Sequence, residues 1–161
     1  MRRMIGILLL GSTVCAPLCA AENGFTAPGG WVALPETDNG LVGYHTRQDK
    51  SLSLLVMVRP ITTHGETTQQ WADAETDLLR NKGASILSGP SDKRYGPADF
   101  VVLVSASNMG GVDIRMEQYF TKGASSQELI EVTAMGPEEF FQDERSRIES
   151  FLNSFQPKEG K

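Results

Sequence analysis

The stretch from Phe100 to Ala134 restricts the possible folds of this chain more than any other part of the sequence. Its first five residues, 100–104, are all apolar, which is typical of a strand covered on both faces. The glycine pair at 110 and 111 favours a tight reversal, because glycine accepts the positive φ angles that such turns need. Apolar and polar residues then alternate from Val112 to Phe120, and a turn at 122–126 precedes an apolar run at 129–134. Together these features predict a three-stranded antiparallel meander.

Two amphipathic helices are expected to pack on the meander. Thr67 and Gln70 have the spacing of a capping box at the start of the first helix, and Gly83 is placed to end it. The predicted buried face of this helix repeats at three and four residues: Trp71, Ala74, Leu78 and Lys82. The second helix is predicted to have Pro137 as its first residue and Arg145 on its water-facing side. Its apolar side consists of Phe140, Phe141, Ile148, Phe151, Leu152 and Phe155.

Shorter strands complete the expected architecture, at residues 25–28, 41–46, 52–58 and 85–87. Trp31 lies between the first two of them, where it either packs on the edge of the core or offers a flat surface to a ligand. The fold class is therefore predicted to be α+β. It has an antiparallel sheet of about six strands with a central meander, sandwiched by helices.

Residues 1–21 have the features of an export signal. Two arginines precede an apolar segment at 4–14, and small residues at 19–21 form a recognisable cleavage site. Cleavage is expected after Ala21, with Ala20 as the alternative position, which predicts a periplasmic or secreted protein. Both cysteines, Cys15 and Cys19, fall within this segment. Neither follows the leucine and small residues of a lipid-attachment motif, so a lipid anchor is not expected.

Residues 22–157 are predicted to form a single domain, followed by a disordered tail at 158–161. Loss of the signal would remove Arg2 and Arg3 and reduce the 15 basic residues to 13, against 20 acidic residues, which gives a net charge of −7. This charge disfavours nucleic acid and anionic membrane surfaces as partners. No apolar segment in the remaining sequence has the length needed to span a membrane.

The residues that could carry a reaction are few. The sequence contains no nucleophile elbow, phosphate-binding glycine loop, dinucleotide fingerprint or HExxH pair, and it predicts neither a cofactor nor a metal site. His64 and Glu66 could together act on a substrate as a base and its partner, although a histidine in a polar loop is more often simply solvated. His45, on a predicted strand, is expected to pack within the sheet.

Two surfaces are candidates for binding. Alternation places four polar side chains on one side of the second meander strand: Asp113, Arg115, Glu117 and Tyr119. Glu131 and Thr133 of the third strand are expected beside them. The same pattern is also explained by exposed charge pairs between strands. The second candidate is Arg94 with Tyr95, in a segment predicted to be a loop.

A family resemblance follows from the two ends of the predicted domain. The motif Phe25-x-x-Pro28-x-x-Trp31 near its start and Ile148-x-x-Phe151-Leu152-x-Ser154-Phe155 near its end resemble the PsbP-like fold. Among bacterial proteins the chain is similar to the small exported DcrB-like proteins. The resemblance implies an antiparallel sheet between helices, and members that mostly bind or assist other proteins and lack a known active site. DcrB-like proteins typically carry a lipid anchor, a feature that the cysteines here do not support.

Three hypotheses about function follow. The first is an exported, non-enzymatic accessory or binding protein of the bacterial cell envelope, whose partner is another envelope protein or a small ligand. The second is an immunity or inhibitor protein directed against a toxin in the same compartment. The third is a small periplasmic hydrolase that uses His64 and Glu66.

Overall fold

One antiparallel sheet organises the fold. The structure is a computed structural model that describes residues 24–38 and 40–157, so the predicted export signal, both cysteines and the predicted tail lie outside the described residues. The strands are β1 (Val32–Ala33), β2 (Val42–His45), β3 (Leu55–Thr62), β4 (Ser85–Tyr95), β5 (Ala98–Met109), β6 (Val112–Lys122) and β7 (Glu128–Pro137). The helices are α1 (Thr68–Asn81) and α2 (Glu138–Asn153).

The strands are arranged in the order β1-β2-β3-β7-β6-β5-β4, and every neighbouring pair is antiparallel. The meander predicted from Phe100 to Ala134 is confirmed as β5, β6 and β7. The α+β class is also confirmed, with seven strands in the described part of the chain where about six were expected. Within that part, no helix is both long and apolar enough to cross a membrane.

The two helices lie on opposite faces of the sheet. Adjacent residues of a strand point to opposite faces, and Tyr119 and Phe120 of β6 belong to separate buried clusters. Tyr119 packs in the larger cluster with α2, whereas Phe120 packs in the smaller cluster with α1. Helix α1 packs on the half of the sheet formed by β4, β5 and β6. On the α1 side, no helix of residues 24–38 and 40–157 covers the other half, formed by β2, β3 and β7.

Several predicted boundaries are wrong. Residues 25–28 form no strand; Phe25 instead stacks on Phe151 and Phe155, with ring centroids 4.8 and 4.6 Å apart. The strand predicted from Leu52 begins at Leu55, because Asp49 caps a short 3-10 turn at Lys50–Leu52. Strand β4 covers 11 residues, since register shifts between Ile86 and Ser91 accommodate the glycine and proline at 89 and 90.

Helix α1 starts as predicted but buries a different face. The capping box of Thr67 and Gln70 is present. The buried residues are Ala72, Thr76 and Leu79, whereas Leu78 is 44% exposed. The Thr76 hydroxyl donates to the carbonyl of Ala72 at 2.7 Å, which lets a polar residue occupy the buried face. Of the predicted face, Trp71 packs against the smaller cluster, whereas Ala74, Leu78 and Lys82 are exposed.

Helix α2 supplies the centre of the larger cluster. Pro137 is its N-cap and not its first residue, so the helix begins at Glu138, one residue later than predicted. Phe151 is fully buried and lies against Trp31 and Tyr44, with ring centroids 5.1 and 5.8 Å away. Trp31 therefore packs on the core, as the first of the two interpretations of this residue expected.

Gly96 provides a test of how closely the β4–β5 turn approaches α2. Its φ is +55°, and a Cβ at this position would lie 2.6 Å from the carbonyl oxygen of Asn153. Gly110 also has a positive φ, +63°, but a Cβ there would meet no atom within 4 Å among the described residues. We expect Gly96→Ala to lower the free energy of unfolding by about 3 kcal/mol and Gly110→Ala by about 1 kcal/mol, as measured by urea denaturation. Equal losses would show that the close approach to Asn153 does not matter.

Candidate functional site

The predicted charged stripe on β6 is not an open surface. Asp113, Arg115, Glu117 and Tyr119 do share one side of the strand, but α2 covers the inner part of the stripe. Glu117 is 2% exposed and Tyr119 is 1% exposed. Both terminal guanidinium nitrogens of Arg145 donate to the Glu117 carboxylate, at 2.6 and 2.7 Å. Glu117 was predicted to be exposed to solvent and Arg145 to lie on the water-facing side of its helix. Both predictions are wrong, because the two residues form an ion pair across the interface between the sheet and α2.

The Glu117 cluster is a structural clamp between α2 and the sheet. Arg115 donates to Glu117 at 2.8 Å and also binds Glu138 at the start of α2. The Tyr119 hydroxyl donates to the same carboxylate. Burial raises the pKa of Glu117, but the hydrogen bonds from Arg145 and Tyr119 outweigh it and leave that pKa below its ordinary value. Burial and the adjacent Glu117 raise the pKa of Tyr119.

A second buried carboxylate has a similar role. Glu144 of α2 is 1% exposed and accepts hydrogen bonds from Arg47 at 3.0 Å and from Arg147 at 3.1 Å. Arg47 also pairs with Asp143. Since Arg47 follows β2, this cluster attaches the middle of α2 to the segment between β2 and β3. The burial of two carboxylates, those of Glu117 and Glu144, is thus explained by their role in anchoring α2 to the rest of the domain.

The second predicted surface is divided between core and solvent. Tyr95 is buried, and its ring lies 5.6 Å from Phe100 and 5.9 Å from Tyr119. Arg94 is exposed and lies 3.7 Å from the carboxylate of Asp99. The predicted loop is the end of β4, so consecutive side chains point to opposite faces. The structure therefore separates the two residues, and only Arg94 remains available to a partner.

The two histidines lie apart from one another. His64 is exposed, and its backbone N–H donates to the Glu66 carboxylate at 2.6 Å. This hydrogen bond, together with one from the backbone N–H of Glu66 to its own carboxylate, lowers the pKa of Glu66. The Nδ1 of His45 lies 3.1 Å from the hydroxyl of Ser53. Across residues 24–38 and 40–157, no group of three or more His, Cys, Asp or Glu side chains could hold a metal ion.

A third buried carboxylate, Glu131, lies on the opposite face of the sheet. The register pairs Glu131 with Phe120 and Thr133 with Gln118, and directly opposed residues share a face. Glu131 and Thr133 are therefore not beside Glu117, as the sequence suggested, but on the α1 side. They lie where the sheet extends beyond α1, towards β3.

The side chains around Glu131 form a fixed polar network. Its carboxylate accepts hydrogen bonds of 2.9 Å from each of three side chains: Arg59, Gln118 and Thr133. The Gln118 amide nitrogen also donates to Glu75 of α1 at 3.3 Å. Because both carboxylates require the nitrogen of the amide, its oxygen is directed away from them. That oxygen is buried and meets no hydrogen-bond donor among the described residues.

This network is the floor of a concave site, which we call the sheet pocket. Its polar floor is Arg59, Gln118, Glu131 and Thr133, and its apolar walls are Leu41, Met57 and Met116. Its volume is about 380 Å³. Polar groups of fixed orientation inside an otherwise apolar concavity are the usual composition of a ligand-binding site.

Sequence reasoning missed Gln118 and assigned Glu131 to the wrong face. A signal was present, because Gln118 is the one polar residue between Met116 and Phe120 on the apolar side of the β6 repeat. A polar residue in that position indicates either a hydrogen-bonded partner or a site. The partner, Glu131, is 13 residues away in the chain, and only the β6–β7 register brings the two together.

Comparisons with known proteins identify the architecture. LpqN of Mycobacterium tuberculosis, a protein involved in cell envelope biogenesis, superposes with a TM-score of 0.63 at 14% identity, over 79% of this chain and 78% of LpqN. The cyanobacterial PsbP, CyanoP, of Synechocystis sp. PCC 6803 superposes with a TM-score of 0.60 at 12% identity, over 84% of this chain and 88% of CyanoP. This protein has a PsbP-like fold. PA94 of Pseudomonas aeruginosa shares it, with a TM-score of 0.56 at 11% identity, over 81% of this chain and 99% of PA94.

The comparisons establish the PsbP-like fold and nothing finer. No protein-family model matches the sequence, and no curated protein matches it either. At 11–14% identity the shared property is the fold, and function has to be argued from the residues of the site. The resemblance to DcrB-like proteins stays a prediction.

Proposed function

We propose that this protein is an exported, non-catalytic binding protein of the bacterial cell envelope that holds its ligand in the sheet pocket. The observation that carries the proposal is the pocket itself, which combines apolar walls with a rigid polar floor. It lies beside α1, at the boundary between the covered and uncovered halves of the sheet, with lining residues from β3, β6 and β7. The PsbP-like fold is compatible with this role but does not establish it.

The chemistry of the floor favours binding over reaction. A general base needs a lone pair directed at the substrate, whereas the lone pairs of Glu131 already accept bonds from Arg59, Gln118 and Thr133. Neither His45 nor His64 lines the pocket. The hydrolase hypothesis relied on His64 and Glu66, and the Glu66 carboxylate is engaged by a backbone N–H. These contacts support a site that recognises a ligand without changing it.

The envelope location rests on two separate arguments. Residues 1–21 have the composition of an export signal. LpqN, which shares the fold, is described as involved in cell envelope biogenesis. The predicted partner, another envelope protein or a small ligand, would meet the pocket in that compartment. The immunity or inhibitor alternative stays a prediction from the sequence.

The proposal can be tested by filling the pocket. The full chain is expressed in a bacterial host, recovered from the envelope fraction and analysed by native mass spectrometry for bound molecules. Met57 borders the pocket, so Met57→Trp should occupy it. Leu52 is 49% exposed in the 3-10 turn, and Leu52→Trp is the matched control. We expect the wild type and Leu52→Trp to carry the same ligand and Met57→Trp to lose it.

Two results would contradict the proposal. One is equal occupancy in Met57→Trp and Leu52→Trp, which would place the ligand elsewhere on the protein. The other is a wild-type protein that retains nothing from an envelope extract in which it is incubated. Melting temperatures within a few degrees of each other verify that both variants are folded.

A further inference from the structure

The unmatched oxygen of Gln118 indicates what kind of ligand fits the sheet pocket. Gln118 is 3% exposed, and its oxygen is an acceptor without a donor in the described part of the chain. A buried acceptor left unpaired is costly, and that cost disappears when a ligand supplies the donor. The ligand group that enters the floor should therefore carry N–H or O–H hydrogens.

The charges around the floor select among possible donors. Arg59 and Glu131 form an ion pair and offset each other. Glu75, whose carboxylate lies 3.3 Å from the Gln118 amide nitrogen, adds a second negative charge beside the floor. The site as a whole is thus negative, and so is the full chain, with a net charge of −5. A cationic donor gains from this field, and an anion is repelled by it.

The walls define the rest of the ligand. Met57, Met116 and Leu41 present hydrocarbon and thioether surface beside the polar floor. Methionine has three rotatable side-chain bonds, so the walls can move to admit a ligand to the buried oxygen. A volume of about 380 Å³ is near the lower limit for small-molecule sites, which argues for a short chain.

We propose that the sheet pocket binds a primary ammonium group carried on a short hydrocarbon chain. One of the three donor hydrogens of the ammonium matches the Gln118 oxygen, and its positive charge is attracted by the nearby carboxylate of Glu75. The chain lies along Met57 and Met116. This inference rests on the proposed function and adds the ligand class.

The test uses three six-carbon probes of nearly equal size. Hexylammonium, 1-hexanol and hexanoate are titrated at pH 7 into the ¹⁵N-labelled full chain, and the side-chain amide signal of Gln118 is followed. We expect saturable binding of hexylammonium, at least tenfold weaker binding of hexanol because it lacks the charge, and no binding of hexanoate. Equal affinities for the three probes, or tighter binding of hexanoate, would overturn the inference.

A charge change on α1 provides the matched variant. Glu75→Gln removes the second carboxylate beside the pocket, while Asp77→Asn removes a carboxylate that is 74% exposed on the same helix. We expect Glu75→Gln to weaken hexylammonium binding about fivefold and Asp77→Asn to leave it unchanged. Identical affinities of the two variants would overturn the inference. If none of the three probes binds, but a ligand that depends on the pocket is still recovered from envelope extract, the inference of an ammonium ligand is refuted. The proposed binding function is then retained.

Discussion

Deletion of residues 148–161 is expected to leave a chain that does not fold cooperatively. The deleted segment contains four fully buried side chains of the larger cluster: Ile148, Phe151, Leu152 and Phe155. Their burial contributes on the order of 10 kcal/mol before entropy is counted, which is comparable to the net stability of a whole domain. The deletion also exposes Phe25, which stacks on two of the removed rings.

Circular dichroism and one-dimensional proton spectra measure this outcome. The truncated chain should show no sigmoidal thermal transition and no dispersed methyl signals. The control is deletion of 158–161 alone, which leaves every described contact of α2 in place and should preserve the transition. A cooperative melt in the longer deletion would show that the sheet and α1 are stable without the end of α2.

Glu117→Gln should be among the most destabilising single substitutions. The change removes a buried negative charge and leaves Arg145 and Arg115 without their shared partner. Breaking a buried ion pair in this way costs about 3–5 kcal/mol, and we expect the lower limit because both arginines retain some contact with water. Urea denaturation measures the loss. Glu139→Gln, the same change at an exposed position in the first turn of α2, should cost less than about 1 kcal/mol. Similar losses in the two variants would contradict the clamp.

The same carboxylate makes stability depend on pH. The pKa of Glu117 in the folded protein lies below its ordinary value of 4.5, so between these two values the unfolded chain binds the proton more tightly. The contribution of Glu117 is therefore complete above pH 4.5 and is lost as the pH falls through the folded-state pKa. We expect the difference in unfolding free energy between wild type and Glu117→Gln to be constant from about pH 7 to about pH 5 and to shrink at lower pH. A constant difference down to about pH 3 would contradict this assignment.

The sequence predicted those parts of the fold that depend on local patterns. The meander, the capping box at Thr67 and the apolar side of α2 follow from turn chemistry and periodicity, and the structure confirms each of them. Periodicity also placed Glu117 and Tyr119 on the correct side of β6. It could not show that α2 lies over them, because that depends on the packing of distant segments.

The sheet pocket was harder to predict from the sequence, because it also depends on contacts between distant segments. The alternation of residues within β7 does not determine which face of the sheet Glu131 occupies. That depends on the register between β6 and β7, because a register shift of one residue would move every β7 side chain to the other face. Glu131 was therefore grouped with Glu117, although the two lie on opposite faces. The glycine and proline after Tyr95 predict a loop there, whereas β4 extends to Tyr95 and its side chain is buried in the core.

The most direct test of the sheet pocket as the binding site is a map of backbone amide shifts in the ¹⁵N-labelled protein as the ligand recovered from envelope extract is added. We expect the largest shifts on β3, β6 and β7 around Met57, Gln118 and Glu131, and little change in the residues of α2. Large shifts near Arg94 or at the β5–β6 turn, with the sheet pocket unchanged, would contradict this assignment.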